Sequence, residues 1–502
     1  MKKLSLICSF VFLTSAVSVL ADTCSTECNE GGCCATCSHT FLRGRPSSQD
    51  MVLEMDQWHY FLAHIKDAET EKNRFFSVGG AFFYNQSTSK SKQREFFLKN
   101  CSECYSTITQ SPAGGPDPVT DINSAWLQLD ANIQMNPAFS SHITLNPERQ
   151  IIGGIFNVHF DFDRWAKGLT LYAIIPVVNV RHKTGFKETN IVSAGAFNGI
   201  TNAESAFNNP TWNYGKIVPC AQSKTGVDDI HIKLDWKFLR KSRYSMGIYA
   251  SLFVPTHGGS KADYLFEPTI GNGGHVGFGG GLHTGFVLCK NEKNMLTLYV
   301  DGRYDYFFKG EEKRSFDLCP NGEWSRYLLV AQQNALQTPL PGINFLTREV
   351  DVTPRSNAEF LTALHHNYKR WNFELGYNYW FQQKEKLELQ SRCDATPFGV
   401  FDLPHVLNAT QGSFTTASTA QINQAFSAVE DQAPIYVGDN NFNLDSAAHP
   451  QASSCKLYGS VGYDFDCGKF PALCAVGGSY EWGHKKSAFS QWGVSAKTSL
   501  SF

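Results

Sequence analysis

The chain ends QWGVSAKTSLSF, Gln491 to Phe502, with Trp492, Val494, Ala496, Thr498, Leu500 and Phe502 alternating with Gly493, Ser495, Lys497, Ser499 and Ser501. Successive side chains of a strand point to opposite sides, so this is a strand with one apolar and one polar face, finishing on an aromatic. The closing strand of a bacterial outer-membrane barrel has this form. Trp492, Val494, Leu500 and Phe502 are read as the signal through which the barrel assembly machinery takes up the chain. An edge strand of a soluble sandwich would carry the same alternation, so the rest of the sequence has to decide.

At the other end, Lys2 and Lys3 precede an apolar run from Leu4 to Leu20 that closes on Ala21. A basic start, a short apolar stretch and a small residue make a secretory signal peptide. Residues 1–21 are read as that leader, cleaved after Ala21 on Sec export, and Cys24 is not placed for a lipid anchor. A retained membrane helix is the alternative, although the run is at the short limit for spanning. No comparable run follows, and lipid offers free backbone N–H and C=O groups no partner, so a membrane chain without helices must close its strands into a barrel.

Composition points the same way. Phe 38, Tyr 19 and Trp 10 against 6 Met, with 41 Gly, suit strands, interfacial aromatic girdles and tight turns. Without Lys2 and Lys3 there are 42 basic and 46 acidic residues, a net of about −4 with no basic block, which gives nucleic-acid binding no support. No charged or proline-rich linker divides the chain, so one large all-β unit is expected rather than several soluble domains.

The strands are legible from their period of two. Ile230, Ile232, Leu234, Trp236 and Phe238 alternate with His231, Lys233, Asp235 and Lys237, and a short turn leads into Tyr244–Val254 with the same alternation. Leu296 to Tyr306 sets Thr297, Tyr299, Asp301, Arg303 and Asp305 against an apolar face, and Trp371 to Phe381 does so with Asn372, Glu374, Gly376 and Asn378. Further strands are expected near 74–85, 125–134, 139–146, 151–162, 169–181, 276–288, 357–368, 455–466 and 472–484. The expectation is a single transmembrane antiparallel barrel over residues 68–502, of about fourteen strands within a range of twelve to sixteen. Brief connections at 163–168, 239–242, 290–294 and 369–370 alternate with long ones at 186–227, 257–275, 309–356 and 389–454. That asymmetry is expected of periplasmic turns and external loops, and the long loops, rich in small polar residues, are read as exposed and mobile, or folded inward to narrow a pore.

Cys8 leaves with the leader, and the remaining fourteen cysteines enter a compartment where disulfides form. The candidates are Cys24, Cys28, Cys33, Cys34 and Cys37, crowded in a Cys-rich periplasmic segment 22–67, Cys101 and Cys104 in the first external loop, and Cys467 and Cys474 around a short turn. The odd N-terminal cluster could leave a thiol for a partner chain; zinc binding competes there, without a second ligand pair at metal spacing. Met51–Asp67 has Met51, Glu54, Met55, Trp58, Leu62 and Ile65 at roughly helical spacing, a short helix either plugging the periplasmic mouth or packing on its rim.

Three stretches, Thr40-Phe41-Leu42-Arg43-Gly44-Arg45-Pro46, Leu375-Gly376-Tyr377-Asn378-Tyr379-Trp380 and Trp492 to Phe502, resemble the major outer membrane proteins and related cysteine-rich porins of chlamydia-like bacteria. The resemblance implies a β-barrel porin that is disulfide-linked in an envelope with little peptidoglycan. The N-terminal cysteine cluster and the 389–454 loop are not features of that likeness.

Catalytic chemistry finds no foothold. Gly271-Asn272-Gly273-Gly274-His275 lacks the Lys-Ser/Thr of a phosphate loop, and His365 and His366 fall on opposite faces of a strand. No nucleophile elbow or zinc-protease helix is present, and no cofactor is called for. The reading is therefore an outer-membrane porin, not an enzyme, for passive diffusion of ions and small hydrophilic solutes. Its lining candidates are His231, Lys233, Asp235, Lys237, Asp301, Arg303, Asp305 and Glu374, whose mixed signs imply weak selectivity. The partners are outer-membrane lipid, those solutes, the assembly machinery, and copies or disulfide-linked envelope proteins. A surface adhesin or wall protein anchored by a closed barrel is the alternative, and an outer-membrane hydrolase a second.

Overall fold

The structure is a computed structural model that describes residues 38–51, 53–55, 76–99, 105–110, 120–129, 139–192, 199–333, 335–390, 396–400, 420–424, 436–467 and 470–501. The leader, Cys24 to Cys37, Cys101, Cys104, most of the Met51–Asp67 helix and Phe502 lie outside the described residues.

Twelve antiparallel strands close on themselves: β1 (Phe76–Ser87), β2 (Glu148–Asp161), β3 (Leu169–Lys183), β4 (Ile230–Arg240), β5 (Tyr244–Val254), β6 (Gly277–Lys290), β7 (Asn294–Phe307), β8 (Arg355–Tyr368), β9 (Trp371–Gln382), β10 (Ala452–Cys467), β11 (Phe470–Gly483) and β12 (Gln491–Ser501). The ring is sealed where β12 pairs with β1, Ser501 opposite Ser77 and Gln491 opposite Ser87. The C-terminal strand thus closes the barrel, with Trp492 and Val494 on its exposed face and Lys497 buried within.

Alternation does the sorting. On β4, His231, Lys233 and Asp235 are buried while Leu234, Trp236 and Phe238 are exposed, and β7 repeats this with Asp301, Arg303 and Asp305 inside and Tyr304 and Tyr306 outside. The outer surface carries Trp236, Phe238, Tyr244, Tyr368 and Trp371 at the end with the short turns, and Tyr304, Tyr306, Tyr480, Trp482 and Trp492 at the other, with Leu282, Leu375 and Val476 exposed between them. An apolar band between two aromatic girdles on a closed barrel is a wall built for lipid, and this is an outer-membrane barrel. Among the described residues no helix is long and apolar enough to cross a membrane.

Twelve strands replace the expected fourteen because two alternating stretches belong elsewhere. Ser124–Leu127 is a 3₁₀ turn whose cap, Asn123, accepts a hydrogen bond from the Ala125 N–H, and Ser140–Thr144 joins a small sheet above the barrel. Nor are the described parts of the long loops exposed throughout, although Lys187–Val192 largely is. They carry further short strands, such as Gly310–Ser315 between 308 and 354, and build a cap with its own apolar core. Trp126, Phe97, Phe207, Trp324, Tyr327 and Ile343 are all buried there. A loop that can bury this much carbon against its neighbours gains more from packing than it loses in chain entropy.

One stretch of wall is composite. β3 pairs with β4 only from Leu169 to Ile174; beyond Pro176, which has no N–H to give, its partner becomes the loop strand Gln222–Val227.

Candidate functional site

The lumen is the place where sequence-distant polar groups converge. Into it from the cap descends the N-terminal segment, residues 38–51 and 53–55, part of the 22–67 stretch expected below the barrel. Its upper end is tied to the cap: the Trp324 indole N–H donates to Ser38 Oγ (3.0 Å) and to the Phe97 carbonyl (2.9 Å), and Thr40 Oγ1 donates to the Ser315 carbonyl at 2.7 Å. Pro46, extended, precedes one helical turn, Ser47–Asp50, and residues 53–55 are again helical. A proline suits this start, since its missing N–H would have no partner there.

Each charged residue of the segment meets wall or cap. Arg43 pairs with Glu312 (2.5 Å) and Glu385 (3.4 Å), and Arg314 completes that group at 2.9 Å from Glu312. Burial opposes ionisation of Glu312, yet Arg314 and Arg43 hold it well below the usual carboxylate range. Lower down, Arg45 meets Glu359 at 2.5 Å and both Asp50 and Glu481 at 3.5 Å, with its guanidinium over the Trp380 ring. Lys456 of β10 donates to Asp50 at 2.7 Å and also pairs with Glu54, which Lys497 of β12 approaches at 3.8 Å. A cavity left between Asp50, Glu54, Lys456, Tyr458 and Lys497 holds about 20 Å³, room for about one water.

The helical turn is latched from its N-terminal side. Asp228 accepts from the Ser48 N–H (3.1 Å) and hydroxyl (3.0 Å), while Asp229 accepts from the Asn272 N–H at 2.9 Å. Asn272 belongs to the glycine-rich stretch, and Gly271, Gly273 and Gly274 have φ of +66°, +74° and +88°. A Cβ on Gly273 would lie 2.5 Å from Arg43 Nη2. These glycines let a loop wrap the plug closely, which is what the motif does in place of phosphate binding. Burial and the adjacent Asp228 carboxylate push Asp229 up to about 7.

The lining candidates all face inward, but into contacts rather than open water. Lys233 Nζ lies 3.9 Å from the Tyr249 ring centre and 5.2 Å from that of Tyr172. Asp235 meets His283 at 2.7 Å, Asp301 accepts from Tyr249 OH at 2.7 Å, and Asp305 from Ser251 Oγ at 2.6 Å. Arg303 bridges Asp305 (2.9 Å) and Glu359 (2.6 Å), and Glu374 accepts from Ser460 Oγ (2.7 Å) and faces Lys497 (3.5 Å) and His365 (3.5 Å). His231 stacks on Phe253, and Lys237 sits half-buried toward the turn end. Among the described residues the lumen is packed, since a narrow twelve-stranded barrel is filled by its own long side chains and by plug residues 38–51 and 53–55.

Sequence reasoning offered a helix at Met51–Asp67, plugging the mouth or packed on its rim, and missed the contacting roles of Arg43, Arg45 and Asp50. The one signal available was the run Arg43-Gly44-Arg45-Pro46, two cations beside a helix-starting proline. Of the cysteines, the register sets Cys467 opposite Phe470 and Cys474 opposite Tyr463, so that pair is not brought together. Cys220, Cys289, Cys455 and Cys474 are free thiols, and Cys319 is disulfide-bonded. Among the described residues no group of three His, Cys, Asp or Glu is placed to hold a metal ion.

No family model and no curated protein sequence matches the chain. Among solved structures it is similar to an outer membrane channel from Pseudomonas putida F1 (9% identity, 86% of this chain and 97% of that one, TM-score 0.34). It is also similar to the Pseudomonas putida toluene transporter TodX (9%, 92% and 96%, TM-score 0.32) and to a Pseudomonas aeruginosa FadL homologue (9%, 86% and 90%, TM-score 0.27). At such identities a likeness is one of architecture, and at such TM-scores nothing further rests on it.

Proposed function

We propose that this protein is an outer-membrane channel held shut by its own N-terminal segment, passing small hydrophilic solutes and ions when that segment withdraws. The observation that carries this is the chemistry of the seat. The plug meets wall and cap through Arg43, Arg45, Asp50 and Glu54 on one side and Glu359, Glu481, Lys456 and Lys497 of the wall and Glu312 of the cap on the other. Burying ion pairs contributes little net stability, because desolvation offsets attraction, while it fixes one geometry. On withdrawal both surfaces regain water and that desolvation cost is returned, which an apolar seat could not do. A lumen meant to stay filled would be better served by carbon.

The finer identity, a porin of the chlamydial major outer membrane protein type, is part of this proposal and rests on the three short stretches alone. Two of them meet in the lumen, where Arg45 lies over Trp380 and donates to Asn378 at 3.1 Å. The hydrocarbon cargo named for some similar structures is not carried over. Assembly machinery acting on Trp492 to Phe502, copies of the chain and envelope disulfides are partners within the same reading.

Planar-bilayer recording tests it. Wild type should be mostly closed with rare openings, and a chain lacking residues 43–55 should conduct in large steady steps. A plug-less chain that folds, judged by heat-dependent gel mobility, and stays silent would favour the second reading, a barrel that anchors a surface protein. The cap with its own apolar core is what favours that alternative.

A further inference from the structure

We propose that Cys455, His484 and Tyr377 form a metal site on the outward external rim of the barrel, for a borderline divalent cation of the zinc class. Tyr377 and Cys455 come from adjacent strands and His484 directly follows the next one, β11. Cys455 lies on β10 opposite Tyr379 of β9 and Trp482 of β11, between the inward, buried Ser454 and Lys456, so its thiol faces out. Tyr377 and His484 are its diagonal neighbours on that face, a spacing long side chains can bridge.

Cys455 Sγ is 3.3 Å from His484 Nε2 and 2.9 Å from the Tyr377 hydroxyl. Zinc bonds of about 2.3 Å to sulfur and 2.0–2.1 Å to nitrogen put tetrahedral S and N ligands about 3.6 Å apart, so the pair needs to open by only a few tenths of an ångström. The imidazole is already oriented. His484 Nδ1 is 3.2 Å from Ser453 Oγ, and the His484 backbone N–H donates to the Ser453 carbonyl at 3.0 Å. With the Nδ1 proton given to Ser453, the Nε2 lone pair points at the sulfur, the outer-shell arrangement usual for a ligating histidine. Thiol and imidazole together favour zinc or cobalt over magnesium or calcium. The phenol is the weakest of the three donors, and the outward side is left for water or a headgroup oxygen. Binding releases the thiol proton as the sulfur–metal bond forms.

The test uses the mature protein in detergent, with Co²⁺ as the probe and thiolate-to-cobalt charge-transfer absorption as the readout. The N-terminal cysteines can bind Co²⁺ too, so the quantity is the difference between wild type and variants. Cys455→Ser and His484→Ala should each lose the same one equivalent, and Ser453→Ala should weaken that equivalent by roughly 10- to 100-fold. Tyr377→Phe should weaken it less. Loss in Cys455→Ser with full binding in His484→Ala would overturn the proposal, since a thiol alone would then account for the signal. So would no difference in either. If Cys455→Ser fails to assemble, alkylation of Cys455 followed by peptide mass spectrometry decides. Zn²⁺ should slow it roughly tenfold or more in wild type and not in His484→Ala, and equal protection or none in both would refute the site.

Discussion

Arg45→Ala should unseat the plug, and the structure sets how far. Arg45 makes the 2.5 Å pair with Glu359, faces Asp50 and Glu481 at 3.5 Å, and donates to Asn378 and to the Gln49 carbonyl at 3.1 Å. Removing one partner of a buried ion pair costs about 3–5 kcal/mol, because a charge is left buried and unmatched. Here each orphan keeps a second partner: Glu359 has Arg303, Asp50 has Lys456, and Glu481 accepts from Gln491 at 2.6 Å. The low end, about 3 kcal/mol, therefore applies, which is about two decades in the seating equilibrium. Single-channel recording should show open probability rising about a hundredfold, with unitary conductance unchanged. The double variant Arg45→Ala/Glu359→Gln should fall part of the way back, since it removes the charge that the single change strands. A folded Arg45→Ala barrel with wild-type open probability would refute the argument that these ion pairs hold the channel shut.

Four further outcomes are expected. Asp229, which holds Asn272 beside the Asp228 latch on Ser48, has its pKa raised to about 7 against an ordinary 3.8, so the stability it contributes is complete below 3.8 and lost as pH rises through about 7 and its charge meets that of Asp228; protease access to the plug should increase over that interval, and Asp229→Asn should flatten the profile. Leu234→Arg, on the lipid face, should cost roughly 2–4 kcal/mol if the residue lies near the midplane, read as lost heat-modifiable barrel on refolding into lipid; normal assembly would place Leu234 away from lipid. Trp324→Ala removes a fully buried indole and both of its hydrogen bonds, a loss of about 3–5 kcal/mol, so limited proteolysis should cut the cap while the barrel band persists. Gly273→Ala, strained at φ +74° and crowding Arg43, should weaken plug seating by proteolysis and bilayer recording, whereas Gly258→Ala, with open space around its Cβ position, should not.

The sequence by itself determined the wall. Period-two alternation is a local property, so β4, β5, β7, β9 and β12 could be assigned, together with the face each turns to lipid, from residues such as Leu234, Tyr304 and Trp492. The short turns followed as well. Ser124–Leu127 and Ser140–Thr144 misled because alternation tells a half-buried strand from a helix but cannot tell lipid from a neighbouring loop as the apolar partner. Only the tertiary structure decided what fills the inside. Arg45 finds Glu359 and Glu481, and Asp50 finds Lys456, across separations of hundreds of residues, and no local pattern encodes which inward charge meets which. The same holds for the cap, where Trp324 and Phe207 pack together from loops that read singly as polar. An inward-facing charged residue looks alike in sequence whether it lines water or grips a plug; the difference is set by what else the fold brings within about 3 Å of it.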